Sequence, residues 1–346
     1  MDTMGGDEVA GRWCRHGRVR GRLPLRWLAR MAGLVALAGA ALPSPSPAQT
    51  LPDPIRVIVP VAAGSSLDAR ARVVADALGK RLQRRVIVEN KTGAGGVVGT
   101  LFVARAKPDG ATLLFTNSAH AISAHLQRDP GYDPVRDFTP IASVYESGMV
   151  LVVHPDLHVS SVKELVALGK AKGDALNYGS SGTGSLPHLG MEVFKRATGL
   201  TFAHVPYKGD SQALADVLPG RVPMMIAGYP ASAPSVQAGT LKALAVTSPS
   251  RASAFPDVPT MAEAGYPDAT VNVWTGFFAP AKMPQALVDL LHREVNAAVA
   301  TAPVQEHFVA TGARSMTMTP GAFGAFVAQE NARYAKLVTE LKLKEE

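Results

Sequence analysis

Three short segments carry the groups that hold an anion without a metal: residues 61–68 (VAAGSSLD), 116–123 (TNSAHAIS) and 179–188 (GSSGTGSLPH). Each is rich in hydroxyls and in backbone N–H donors on small residues. Each stands between an apolar strand pattern and the start of a helical one. Donors at a helix N-terminus suit a carboxylate or a phosphate. Any one such loop reads better as an ordinary cap or turn, but three of them after strands in one chain shift the balance towards a shared site.

Other chemistry lacks its parts. Gly93–Gly99 reads GAGGVVG, but the sixth position of a G-x-G-x-x-G fingerprint is Val98, and NKT separates the run from the strand ending at Glu89. A tight turn is the better reading. No P-loop is present. Ser160 and Lys163 have S-x-x-K spacing at the start of an amphipathic helix, where a serine is usually a cap. His154 and His158 are four apart, yet HPDLH contains proline and follows a strand, so it does not form a helical zinc pair. His120 and His125 are five apart and do not share a helix face. Cys14 is the sole cysteine. No nucleophile, base and orienting acid assemble, and no cofactor and no metal are expected.

The elements that must position these loops alternate along the chain. Strand patterns occupy 55–60, 85–89, 112–116, 149–153, 176–180, 202–206, 222–227, 243–247 and 271–280. Leu67, Ala71, Val74, Leu78 and Leu82 lie on one face of a helix that Ser65 or Ser66 can cap. Further helices are expected over 160–172, with Ser161 and Glu164 spaced as a capping box, over 186–197, and over 320–341 behind Thr319. Alternating βαβ units imply an α/β fold of two mostly parallel sheets covered by helices, with ligands at the carboxyl ends of strands.

The first 48 residues read as a secretory signal peptide. Seven of the 35 basic and three of the 28 acidic residues lie there, the basic ones ahead of the apolar run MAGLVALAGAAL. Ser46 and Ala48 then supply small residues for cleavage after Ala48. The run is too short for a stable membrane anchor, which needs about 20 residues. Without this segment the net charge of +7 falls to +3, and no nucleic-acid partner is expected. A cysteine-free mature chain fits the periplasm; a cytosolic chain with a basic leader stays open.

Taken together, these loops resemble the Bug-type solute receptors of tripartite tricarboxylate transporters. The resemblance runs over about residues 52–340 and is carried by IRVIVPVAAGSSLDARAR, VENKTGAGGVVGT, KPDGATLL, YDPVRDF, LNYGSSGTGSLPHL, HVPYKGDSQALADVLPGRV, AGTLKALAVTSPSR, PDVPTMAEAGYPD and WTGFFAPAKMP. It implies a two-lobed periplasmic-binding-protein-like fold with a hinged cleft. The first lobe would comprise residues 49–149 plus 273–346 and the second 150–272, with crossings near 148–152 and 271–274. It further implies a small carboxylate ligand, membrane subunits of the transporter as partners, and a monomer without enzymatic activity. A sensory receptor docking on a signalling protein, and a periplasmic hydrolase, stay open as alternatives. The ligand is expected to meet Gly64, Ser65, Ser66 and Asp68 of the first loop and Asn117, Ser118 and His120 of the second. On the other lobe it should meet Ser181, Gly182, Thr183, Ser185 and His188, with Tyr207 and Lys208. Ser65, Ser66, Ser181, Thr183 and Ser185, with the amides of Gly64 and Gly182, would hold the anion, and Lys208 would sit at the rim, where it could pair with Asp210. The family's first loop usually reads P-F-A-P-G-G-x-T-D; here Val61, Ala63, Ser65 and Leu67 depart from it.

Overall fold

The protein is described from a computed structural model over residues 51–341 and 343; the expected leader and its cleavage point lie outside them. Chain order runs β1 (Ile55–Val59), α1 (Ser66–Leu82), β2 (Val86–Asn90), α2 (Val97–Ala104), β3 (Thr112–Asn117), α3 (Ala119–Leu126) and β4 (Phe138–Ser147). After Gly148 come β5 (Met149–Val153), α4 (Val162–Lys172), β6 (Asn177–Ser180), α5 (Leu186–Thr198), β7 (Ala203–Pro206), α6 (Asp210–Val217), β8 (Met224–Gly228), α7 (Tyr229–Gln237) and β9 (Lys242–Val246). The chain then forms β10 (Val273–Pro280), α8 (Gln285–Val299), α9 (Ala302–Ala310), β11 (Ala313–Ser315) and α10 (Pro320–Glu340).

Local chemistry explains the boundaries. Ser65 caps α1 by accepting from Asp68 N, and Leu67, Ala71, Val74 and Leu78 are buried as the periodicity requires. Ser161 accepts from Glu164 N, but the Glu164 carboxylate reaches back to the N–H of Ser160 rather than of Ser161, one residue beyond a strict capping box. Thr319 accepts from Ala322 N at the start of α10.

The strands form two sheets, ordered β11-β4-β10-β3-β1-β2 and β7-β6-β8-β5-β9. Both are mixed, which corrects the expectation of mostly parallel pairing. β1 lies parallel to β2 and β3, and β6 to β7 and β8. β10 is antiparallel to β3 and β4, β11 to β4, and β5 to β8 and β9. The antiparallel partners are the strands that carry the chain between sheets, or that pair with those strands. A strand arriving from the other sheet enters from the opposite end, so it cannot follow a βαβ crossover. β4 was not expected, because Pro140 interrupts its pattern. Pro140 faces Phe278 next to a bulge in β4 itself, where Ile141 is the extra residue between the Phe277–Ala142 and Phe278–Pro140 pairs, and a bulge is one of the places where a sheet tolerates proline.

Period-two alternation divides the core. Val57 and Val59 pack with α1 and α8 on one face of the first sheet, while Ile58 joins Leu114, Phe278 and the Phe323 and Val327 side chains of α10 on the other. In the second sheet Val150 and Val152 face one cluster and Leu151 and Val153 another. The cluster holding Ile58 also holds Leu151, so one of the apolar clusters takes residues from both sheets.

The passage from β4 to β5 is Gly148 alone. A Cβ there would overlap Tyr229 Oη and lie 2.8 Å from Ser248 Cβ. The return passage is tied to it. Thr247 Oγ1 accepts from Met149 N at 3.0 Å and donates to Val271 O at 2.8 Å.

Candidate functional site

A cavity of about 140 Å³ lies against this passage. Four helix starts converge on it: Ser66 and Leu67 of α1, Leu186 and Pro187 of α5, Asp210 of α6, and Tyr229 and Pro230 of α7. The positive ends of four helix dipoles therefore face one small space. Asn117, Tyr145, Ser147 and Gly148 complete the first-sheet side. A depression of about 390 Å³ at His125, Asp133 and Asn331 is larger, but it is a shallow surface feature that gathers no helix starts.

Arg70 lines the cavity one turn into α1 and is only 4% exposed. Its Nε and Nη2 donate to Thr311 Oγ1 at 3.1 Å and Thr311 O at 2.7 Å, and its guanidinium lies 4.7 Å from the centre of the Tyr145 ring. These contacts fix the group, and an arginine stays charged at any ordinary pH. Asn117 Oδ1 accepts from Ala119 N, which leaves the amide nitrogen as a donor.

Across the cavity stands Asp210. Its Oδ1 is buried and has no hydrogen-bond partner among the described residues. Burial raises its pKa above the usual carboxylate value, against partial opposition from the Ser181 hydroxyl and the Gly228 N–H.

Residues 70–343 match the TctC family, the tripartite tricarboxylate transporter family receptors. The chain belongs to that family. BugT of Bordetella pertussis is 37% identical over 318 residues, covering 91% of this chain and 97% of BugT. Among solved structures, periplasmic binding protein BugD is 33% identical with a TM-score of 0.73, covering 84% of this chain and 98% of BugD. MatC of Rhodopseudomonas palustris, solved with bound malate, is 30% identical with a TM-score of 0.72, covering 82% of this chain and 98% of MatC. The two sheets are those of the two-lobed binding-protein fold, and the protein is a TctC-type solute receptor.

Only two residues of the sequence expectation, Ser66 and Asn117, line the cavity of this TctC receptor. Several others have their polar atoms engaged inside their own loops. Ser65 and Ser185 cap α1 and α5 through Asp68 N and His188 N. Gly64 N donates to Asp68 Oδ2 and Gly182 N to Ser180 Oγ. Ser181 approaches the cavity through Asp210, whereas Thr183 is exposed. Asp68 is a loop anchor, accepting from Gly64 N, Arg72 and Asn90. Burial alone would raise its pKa, but Arg72, Gly64 and Asn90 outweigh that and hold it low.

The remaining expected residues also serve the scaffold. Ser118 Oγ accepts from Trp274 N and ties the second loop to β10. His120 lies in the core among Tyr132, Phe138 and Phe278, with Nε2 against Pro134 O at 2.9 Å, and burial pushes its pKa down to about 4. It stands away from the cavity because α3 turns that face inward. His188 Nδ1 accepts from Gly184 N, and its ring stacks on His204 at 3.9 Å. Burial, then the neighbouring His204, push His188 down to about 4. Tyr207 donates to Asp216. Lys208 is exposed and forms no ion pair among the described residues, with Asp210 or any other acid.

The second sheet also contains a Ser–His contact, Ser180 Oγ to His204 Nε2 at 2.6 Å. Ser180 is fully buried and its hydroxyl also bonds the Gly182 backbone, so the pair orders the Gly-rich loop.

Sequence reasoning missed Arg70, Tyr145, Ser147, Gly148 and Tyr229, and weighed Asp210 only as a partner of Lys208. Arg70 had a signal. It follows Leu67 by three and precedes Val74 by four, so it sits on the buried face of α1, where a charge needs a reason. Of the family-loop departures, Ser65 serves as the α1 cap and Leu67 is a buried apolar wall of the cavity.

Proposed function

We infer that this receptor captures a small carboxylated metabolite between its two lobes and delivers it to the membrane subunits of a tripartite tricarboxylate-type transporter. The observation that carries the reading is the convergence of four helix starts and the buried Arg70 on one cavity at the interlobe passage. Hydrogen bonds to a charged group contribute about 1.5–3 kcal/mol each. Two or three of them in a closed site, less the cost of association, give an affinity near micromolar, about −8 kcal/mol. The malate bound to MatC supports a carboxylate of this size.

On this reading the lobes are residues 49–149 with 273–346, and 150–272. The change of sheet at Gly148 supports the first boundary, and the start of β10 at Val273 the second. The protein acts by binding rather than turnover, as a monomer, in the periplasm after cleavage following Ala48. The basic, apolar and small-residue order of the leader supports that location. N-terminal sequencing of exported protein should begin at or near Gln49; an intact leader would refute the location. Mass spectrometry of native protein purified from its host should release a small carboxylic acid in about equimolar amount. Recovery of a neutral or phosphorylated solute instead would refute the ligand class.

A further inference from the structure

We propose a second binding site, for a small oxyanion such as phosphate or sulfate, in the cavity that adjoins the interlobe one at Gly148. It is separate from the carboxylate site above and does not depend on that reading.

The adjoining cavity has a volume of about 230 Å³. Gly148 and Tyr229 wall both spaces and so divide them. The starts of α1, α5 and α6 border only the interlobe cavity. The adjoining one is closed instead by the loop after β9 and by β11, which bring Arg251 and Arg314 to a single space. Arg314 belongs to the first sheet, and Arg251 follows the last strand of the second. An anion held by both would therefore join the two sides of the passage.

Donors outnumber acceptors in this space. Arg251 engages Glu263 through Nε at 2.9 Å and Pro256 O through Nη1 at 3.3 Å, which leaves Nη2. Arg314 engages Glu146 through Nε and Nη2, which leaves Nη1. The amides of Ser250, Arg251, Ala252 and Ser253 donate to no group among the described residues. Ala252 is buried, and buried amides are seldom left without an acceptor. Glu146 is the one carboxylate in the lining among the described residues. Both its oxygens are taken, Oε1 by Arg314 and Oε2 by Asn272 Nδ2 at 2.6 Å.

Fixed donors without a spare carboxylate have an anion as their complement. A cation would meet two guanidinium groups, and an apolar solute would leave the donors unpaired. An oxyanion presents acceptors on every side, so one ion suits guanidinium forks and loop amides together. The volume of about 230 Å³ lies below the roughly 300 Å³ at which pockets for drug-sized ligands begin. That selects a small ion over a nucleotide.

The test is calorimetric titration of the mature protein at pH 7 with sodium phosphate and with sodium sulfate, in a buffer free of other oxyanions. At least one of them should bind at a single site with a Kd of about 1 mM or tighter. Arg251→Gln and Arg314→Gln should each weaken that binding about tenfold while still melting cooperatively. Arg70→Met, which alters the interlobe cavity, should bind the ion as wild type does. In wild type the amide resonances of residues 250–253 should shift with the same Kd, a readout that needs no variant. Failure of wild type to bind either ion would overturn the proposal, and so would loop amides that do not move. Loss of binding in Arg70→Met, with the other two variants unchanged, would put the ion in the interlobe cavity and overturn it as well. Equal binding by all these proteins would mean an adventitious ion only.

Discussion

Asp68 and Asp210 hold matching places beside the two sheets. Each is an acid in the first turn of a helix that follows a strand by a short loop. Asp68 receives Gly64 N, Arg72 and Asn90 and has its pKa held low. Asp210 keeps an orphaned oxygen and has its pKa raised. The helix start is the same kind of environment in both cases, so the supply of partners makes the difference. Where the lobe provides donors, the acid builds the loop. Where it provides fewer, as at Asp210 with only Ser181 and Gly228, one carboxylate oxygen is left unpaired beside the cavity.

This contrast should be easiest to break at Asp68. Asp68→Ala removes several hydrogen bonds to a buried charge and should destabilise the fold by about 3 kcal/mol, read as a lower midpoint in urea at an unchanged slope. A loss below about 0.5 kcal/mol would put Asp68 among ordinary surface residues and dissolve the comparison.

pH sharpens it next. The Asp68 pKa is depressed in the fold, so its contribution is present above the unfolded carboxylate value and lost as pH falls through the lower folded one. The second lobe adds a histidine. His188 is held neutral, with its pKa lowered from 6.5 to about 4. The unfolded chain therefore binds a proton that the fold refuses, and stability falls as pH drops from 6.5 towards 4. Each pKa unit corresponds to about 1.4 kcal/mol, so a loss of about 2 kcal/mol from this group is expected by pH 4.5. His188→Gln should flatten that part of the pH–stability curve. An unchanged curve would mean that His188 is solvated and that its stack on His204 does not order the loop.

The smallest effect belongs to Asp210 and has the opposite sign. Its folded pKa is raised, so ionisation in the fold is unfavourable. Stability contributed by the protonated acid is lost as pH rises from the unfolded value through the folded one. Asp210→Asn should therefore stabilise the ligand-free protein by about 1 kcal/mol at pH 7, the low end for relieving an unsatisfied buried group. The gain should disappear at pH 3, where the wild-type carboxyl is protonated as well. Destabilisation at pH 7 would mean that Asp210 has partners in solution like those of Asp68.

The same distinction explains what the sequence made legible. Strand runs such as IRVIV and MVLVV, and the Leu67, Ala71, Val74 and Leu78 face of α1, were readable because burial imposes a period on them. β4 was hidden by Pro140, which sits beside a bulge in that same strand. The loops that border the cavity could be located, but not which of their donors were free. Ser65, Ser185, Gly64 and Gly182 look like anion donors in one dimension, and their polar groups are bonded within a few residues in three. Arg70 was overlooked for the converse reason. It lies inside a helix, outside every Gly/Ser run, and reaches the cavity only because the helix start and Thr311, far along the chain, are brought together.

The central claim is that a small carboxylate sits between the lobes against Arg70. Calorimetric titration of the acid recovered from native protein, into wild type, Arg70→Lys and Arg70→Met, tests it most directly. A single site with a Kd near micromolar is expected in wild type. Arg70→Lys, which keeps the charge but not the fork of donors, should bind about tenfold more weakly, and Arg70→Met about a hundredfold more weakly while still melting cooperatively. Equal affinity in all three proteins would contradict the claim.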